Sequence, residues 1–481
     1  MSSLSEESLS ELSERLREAN ELFAAKYPGE TGRRQPVHTV YGGAHLFKSD
    51  TAKRLGSLAR RSLDQFAPDF VSFARALDLP GAKTLPGSID DAEELISELE
   101  NETERMRATN KSAWLAYTIY KRVAEKLRRE PVEDFRIDFE DGYGNRPDQE
   151  EDSHAVSAAA EVAEGSKENT LPPFIGIRIK PFNEELRARS FNTLDIFVST
   201  LAKLLSGKLP ENFVVTLPKI TIPEQVSTLV ALLDRLEQKN NLATGSLKFE
   251  MMIETTQSII NHKGESNLPI LLGAAGGRCV AAHFGTYDYT AGCNITAAHQ
   301  HMLHPACDFA KNMMQVSFAG TGIWLSDGAT NIMPVAPHRF VEGGSPLTAE
   351  QIEENRDVVH RAWKLHYDHV QHSLMTAFYQ GWDLHPAQLP TRYAAVYAFF
   401  LDSLAAASER LKNFVEKAAK ATLVGDVFDD AATGQGLLNY FLRAVNCGAI
   451  SEEEAIELSG LTLQELRSGS FVKILKNRQE I

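Results

Sequence analysis

The sequence predicts an α/β fold, a (β/α)8 TIM barrel with a helical insertion after its first strand and a helical cap at its C-terminal end. Three observations carry this reading. Eight short runs rich in β-branched and aromatic residues follow one another, helical stretches separate them, and 481 residues exceed the roughly 250 that one barrel needs. Short apolar runs alternating with helices are the sequence form of repeated βαβ units, hence of a parallel sheet.

The elements follow in order. Residues 1–30 form a helical arm in which Leu4, Leu9, Leu12, Leu16 and Phe23 lie close to one face, and Pro28 and Gly29 end the pattern. The barrel spans 31–390. Its strand candidates are 37–43 (VHTVYGG), 134–140 (DFRIDFE), 174–180 (FIGIRIK) and 212–220 (NFVVTLPKI). They continue with 247–254 (LKFEMMIE), 279–285 (CVAAHFG), 322–327 (GIWLSD) and a short run at 381–385 (GWDLH). The stretch at about 51–130 is long and helical, an insertion expected on the barrel flank. Residues 391–481 are almost wholly helical, broken at Gly425, and read as the cap. No repeat of fixed period occurs.

Composition bounds the function. Lys+Arg 50 against Asp+Glu 65 gives a net charge of −15, which argues against a nucleic-acid backbone or an anionic membrane as partner. It leaves room for a small carboxylate substrate, because a few cations inside a cleft set the local field. Cys279, Cys293, Cys307 and Cys447 form no C-x-x-C pair and suggest no disulfide framework. The N-terminus lacks the basic and apolar segments of a signal peptide, and no apolar run approaches the roughly 20 residues of a membrane span. A cytoplasmic location is the expectation.

In a barrel, the C-terminal ends of the strands face the active site. Those ends carry Asp138, Glu140 and Asp141 after the second strand, Arg178 on the third and Lys219 on the fourth. Glu254 closes the fifth, Asp288 follows the sixth and His385 ends the eighth. Carboxylates converging from three strands repel one another unless a cation joins them, and oxygen-only donors favour Mg2+ or Mn2+ over zinc. Each residue also has a plainer reading. Arg178 could merely neutralise the acids, and Asp138 could be a hydrogen-bonding acid deeper in the barrel. Lys219 could form a Schiff base, although a buried structural lysine is the expectation. His385 could be a packed histidine, and Asp430 could simply cap the helix after it. His299, His301 and His304 do not share one helical face, so no zinc site is expected there.

Several segments resemble malate synthase and the β-subunit of citrate lyase, with its HpcH/HpaI aldolase-type relatives. IETTQSI (253–259) resembles their I-E-T segment and FGTYDYTAG (284–292) the G-x-x-D-Y segment, which implies Glu254 and Asp288 as two ligands of one magnesium ion. DFEDG (138–142) is similar to their D-F-E-D run, which implies that Glu140 and Asp141 support metal-bound water. RIKP (178–181), LPKI (217–220) and LHPAQ (384–388) resemble the third, fourth and eighth strands of citrate-lyase-like proteins. The last of these implies a supporting role for His385. DDAATGQGLLNYFLRAV (429–445) resembles the E-D-A-A-T segment of malate synthase, which implies Asp430 as general base, from its own or a neighbouring subunit. The R-P-R-G first-strand motif of malate synthase is absent, since VHTVYGGAHLFK holds no arginine, and weight falls on Arg178.

The resemblance implies an Mg2+- or Mn2+-dependent carbon–carbon lyase, aldolase or Claisen-type synthase acting on a 2-oxo or 3-hydroxy acid. Whether the substrate is a coenzyme A thioester stays open. Arg178 would stabilise charge on the reacting oxygen, and backbone amides of Gly285 and Thr286 would hold the carboxylate. The expected partner is a small-molecule carboxylate, with homo-oligomerisation left open. The alternative is a degenerate member that binds a 2-oxo acid or phosphoenolpyruvate and regulates without turnover.

Overall fold

In a computed structural model, described over residues 6–29, 32–340, 345–416, 422–424, 427–429 and 431–479, eight parallel strands close into a barrel in sequence order. They are β1 (His38–Gly43), β2 (Asp134–Asp138), β3 (Phe174–Arg178), β4 (Phe213–Leu217), β5 (Lys248–Ile253), β6 (Cys279–Phe284), β7 (Trp324–Ala329) and β8 (Gln380–Asp383). β1 closes the ring on β8, with His38 opposite Gly381 and Val40 opposite Asp383. The seventh strand begins and ends two residues later than its sequence pattern, because Gly320 and Gly322 hold positive φ just before it.

Helix α1 (Glu6–Lys26) precedes the barrel. The insertion comprises α2 (Thr51–Phe66), α3 (Phe70–Leu77), α4 (Glu93–Asn101), α5 (Thr103–Thr109) and α6 (Lys111–Arg129). The barrel helices are α7 (Asp148–Glu168), α8 (Arg187–Leu204), α9 (Pro223–Lys239), α10 (Thr256–Ile259), α11 (Leu268–Ala274), α12 (Thr286–Gly292), α13 (Pro305–Phe318) and α14 (Ala349–Met375). α15 (Leu389–Glu416) packs on α14 and α6 and leads through a small hairpin, β9 (Thr422–Val424) and β10 (Val427–Asp429), to α16 (Ala431–Asn446) and the last helices. Among the described residues no helix is long and apolar enough to cross a membrane.

Strand alternation divides the barrel wall. Ile137, Ile177, Val215, Met251, Ile253 and Phe284 are fully buried in the hydrophobic core that includes the helices. The alternate residues turn inward and are polar. Arg136 on β2 reaches across the barrel to Glu250 on β5 with two bonds of 2.7 and 2.9 Å. His283 Nε2 lies 3.0 Å from the same carboxylate, and its Nδ1 accepts from Trp382 Nε1 at 3.2 Å. That acceptance places the ring proton on Nε2, facing Glu250. Burial would raise the Glu250 carboxyl, but Arg136 and His283 outweigh it and hold the group well below the usual range. An unpaired charge here would cost several kcal/mol, so this belt is a self-compensated floor beneath the mouth.

Candidate functional site

The site is built on the C-terminal ends of β2 to β6. Asp138 ends β2 and is fully buried. Its oxygens accept from the Glu140 and Gly142 amides at 3.0 and 2.7 Å, and from Arg178 Nε and Nη2 at 2.7 and 2.5 Å. A Cβ on residue 142 would lie 2.6 Å from Asp138 Oδ2, so only glycine lets the loop close on this acid. Asp138 thus fixes both the Glu140–Asp141 turn and the guanidinium of the next strand.

Arg178 is 4% exposed and faces the barrel interior, where Nη1 lies 3.1 Å from Glu140 Oε2. Its guanidinium sits over the Tyr41 and Trp382 rings at 4.7 and 5.8 Å. The two rings lie 4.4 Å apart, and the buried Tyr41 hydroxyl has no hydrogen-bond partner among the described residues. Aromatic faces stabilise a guanidinium by roughly 0.5–2 kcal/mol each and fix the orientation of its plane. Sequence reasoning missed Tyr41, Trp382 and His283. The signal was present, since the alternation that turns Asp138 and Arg178 inward does the same for these three.

Lys219 follows β4 in a left-handed conformation, φ 51°. Its backbone N–H donates to Glu254 Oε1 at 2.7 Å. Its ammonium bonds Glu140 and lies 3.2 Å from Asp141 Oδ2 and 3.4 Å from Asp288 Oδ2. Burial disfavours that charge, but Glu140, Glu254 and Asp141 hold the lysine protonated, above its ordinary range. The expectation of a buried structural lysine is therefore corrected: Lys219 is only half-buried and joins the acids from three elements. A protonated amine held this firmly is a poor Schiff-base nucleophile.

Glu254 is buried at the end of β5, and Asp288 sits exposed in the first turn of α12. Burial, reinforced by Asp288, pushes the Glu254 carboxyl up to about 8 against the pull of Lys219 and Arg178. Burial likewise raises Glu140 despite Arg178 and Lys219. Arg178, the Glu140 contact and Lys219 overcome the burial of Asp141 and lower it. The structure thus gathers Glu140, Asp141, Glu254 and Asp288 around one lysine, with Arg178 behind them. Among the described residues, no group of three or more His, Cys, Asp or Glu side chains is placed so that it could hold a metal ion by itself, so a cation here would draw on two protein carboxylates with Lys219 displaced.

Two other expectations change. The Gly285 amide donates to Ile253 O at 3.1 Å, continuing the sheet, and is not available to a carboxylate. Glycine is needed there for room, because a Cβ would lie 2.4 Å from both Cβ and Oε2 of Glu254. The Thr286 hydroxyl is buried against β7, where a Cβ on residue 328 would lie 2.1 Å from it, and it has no hydrogen-bond partner among the described residues. His385 spends Nδ1 accepting from the Ala387 amide at 3.2 Å, capping a short helical turn, and none of its bonds reaches the acids. His304 caps α13 in the same way. Asp430 lies outside the described residues.

The fold is shared with solved structures. A citrate lyase from Burkholderia xenovorans is 19% identical with a TM-score of 0.50, covering 71% of this chain and 92% of its own. A Haloferax volcanii malate synthase in a lead(II) complex is 14% identical with a TM-score of 0.40, covering 75% of this chain and 93% of its own. An HpcH/HpaI aldolase/citrate lyase family protein from Burkholderia cenocepacia is 13% identical with a TM-score of 0.29, covering 44% and 76%. At 19% identity the likeness to the citrate lyase is one of fold alone. No curated protein matches the sequence. Residues 16–474 match the family described as a domain of unknown function, DUF6986, and the chain belongs to that family.

Proposed function

We propose that the protein is a divalent-metal-dependent carbon–carbon lyase or Claisen-type synthase acting on a 2-oxo or 3-hydroxy acid, free or carried as a coenzyme A thioester. The observation that supports this best is the Glu254 carboxyl, buried beside Asp288 and pushed up to about 8. A carboxyl in that position needs either a proton or a cation. The donors are all oxygen, which suits Mg2+ or Mn2+. Glu254 and Asp288 would hold the ion from the protein side, with water and substrate completing its shell. When bound, such an ion supplies positive charge to the oxygen of the reacting carbonyl.

The chain's own groups do the rest. Arg178 Nη1, already 3.1 Å from Glu140, supplies a fixed cation toward that same oxygen. Tyr41 and Trp382 fix the orientation of the guanidinium plane and exclude water beneath it. Glu140 and Asp141 orient water on the metal side. Asp430 takes the proton from the carbon that becomes nucleophilic during condensation and returns it during cleavage. A second reading, a non-catalytic binder of a 2-oxo acid or phosphoenolpyruvate, draws on the Lys219 ammonium, which already offsets part of the acidic charge.

Turnover separates the two. The purified protein is offered a panel of 3-hydroxy acids and their coenzyme A thioesters, with Mg2+ or with a chelator. Steady release of pyruvate or glyoxylate with Mg2+ alone supports the lyase. Binding of a 2-oxo acid without turnover of any panel member would move the assignment to the binder.

A further inference from the structure

Helix α1 carries an apolar face that its own chain leaves open. Leu9, Leu12, Leu16, Leu22 and Phe23 are 44%, 58%, 61%, 74% and 64% exposed. With Ala19, four of them follow the alternating three- and four-residue spacing of a helix that packs on a partner. Helices in proteins draw most of their stability from packing such a face against a partner. The flanks are acidic. Arg17 pairs with Glu14 and Glu21, whereas Glu11 and Glu18 meet no cation among the described residues. The arm is rooted where the Gly29 amide donates to Gly320 O at 2.8 Å, just before β7 at the N-terminal end of the barrel.

At that same end, across the eight-stranded ring, a groove of about 1100 Å³ runs between α2, the end of α6 and the loop before β3. Its walls hold five cationic and two acidic side chains, in a chain whose net charge is −15. The two acids are occupied, Asp64 by Arg60 and Glu130 by Arg34 and Lys126. Lys53, Arg61 and Arg129 are exposed and meet no carboxylate among the described residues. Pro131, Leu171 and Pro172 give the groove apolar lining. An apolar lining edged with unmatched cations fits an amphipathic helix edged with unmatched glutamates.

We propose that α1 of one copy lies in the α2–α6 groove of a second copy, so that a reciprocal pair of arms holds a two-fold dimer. Charge complementarity chooses the occupant. The root of α1 beside β7 and the groove beside β2 and β3 lie on opposite sides of one barrel, which favours exchange between copies. This inference is independent of the reaction assigned to the barrel mouth.

Sedimentation of the full chain over a micromolar concentration series tests it. The wild type is expected as a dimer with twice the chain mass. Leu12→Glu with Leu16→Glu, or Arg61→Glu with Arg129→Glu, is expected to weaken the dimer at least tenfold while circular dichroism stays unchanged, since all four side chains are exposed. Glu11→Lys with Glu18→Lys is expected to do the same, and combining it with the groove reversal in one chain should restore dimerisation. A wild type that stays monomeric throughout overturns the proposal. So does a dimer that withstands either the arm or the groove substitutions, or a charge swap that restores nothing.

Discussion

The backbone N–H of Lys219 donates to Glu254 Oε1 at 2.7 Å, so the residue closing β4 braces the carboxylate that closes β5. The side chain of the same lysine turns back to Glu140 and to Asp288, 3.4 Å away. A left-handed backbone at a lysine costs of order 1–2 kcal/mol, and this set of contacts holds it there. One residue therefore orients the acid proposed to bind the cation and places a positive charge that competes with it.

Lys219→Met keeps the backbone bond and removes the competing charge. Mg2+ should bind at least about tenfold more tightly, as expected when a unit charge a few ångströms away is lost at an effective dielectric near 20. Titration calorimetry measures this. A weaker affinity in the variant would make the ammonium an organiser of the site rather than a competitor.

The raised Glu254 carboxyl ties stability to pH. Its folded value of about 8 lies above the ordinary 4.5, so its contribution is fully present below about pH 4.5. That contribution is lost as pH rises toward 8 and the buried group must ionise beside Asp288. Metal-free wild type should therefore lose Tm between pH 5 and 8. Glu254→Gln should flatten that slope and be more stable than wild type at pH 8, by a few degrees at roughly 1 °C per kcal/mol for a chain of this length. Adding Mg2+ should raise the wild-type Tm at pH 8 and leave the variant unmoved. A Glu254→Gln protein less stable than wild type at pH 8 would remove the conflict between the two acids from the account.

Gly285→Ala forces a methyl against Glu254, 2.4 Å from its Cβ and Oε2. Overpacking of this kind costs about 1–3 kcal/mol, and displacement of the carboxylate should lower Mg2+ affinity and turnover more than tenfold. Affinity equal to wild type would show that the carboxylate has other room.

How much of this was legible in sequence follows from which physical signals are local. The eight strands were readable because each alternates or runs apolar over four to six residues, and that count placed Asp138 and Glu254 at their ends. Lys219 was misjudged because a left-handed residue breaks the alternation just where its side chain must be aimed. Gly285 was read as a donor because a helix start offers free amides, but the Ile253 carbonyl of the neighbouring strand claims this one. The Arg136–Glu250–His283–Trp382 belt spans strands 2, 5, 6 and 8, and no local pattern pairs residues so far apart in sequence.

Asp430 is assigned on its sequence segment, and its test separates chemistry from capping. Asp430→Asn preserves shape and any capping bond while removing the basicity. Turnover should fall about 10²–10⁴-fold with Tm and Mg2+ affinity unchanged. Near-intact turnover would return the residue to a capping role.

The central claim is that Glu254 and Asp288 share one divalent cation at the barrel mouth. Anomalous diffraction from crystals grown with Mn2+ addresses it directly. The expected result is a single peak with a carboxylate oxygen of each residue at roughly 2.1 Å, open positions filled by water, and the Lys219 ammonium withdrawn from Asp288. No peak there at saturating Mn2+, with the ammonium still joining Glu140 to Asp288, would contradict it.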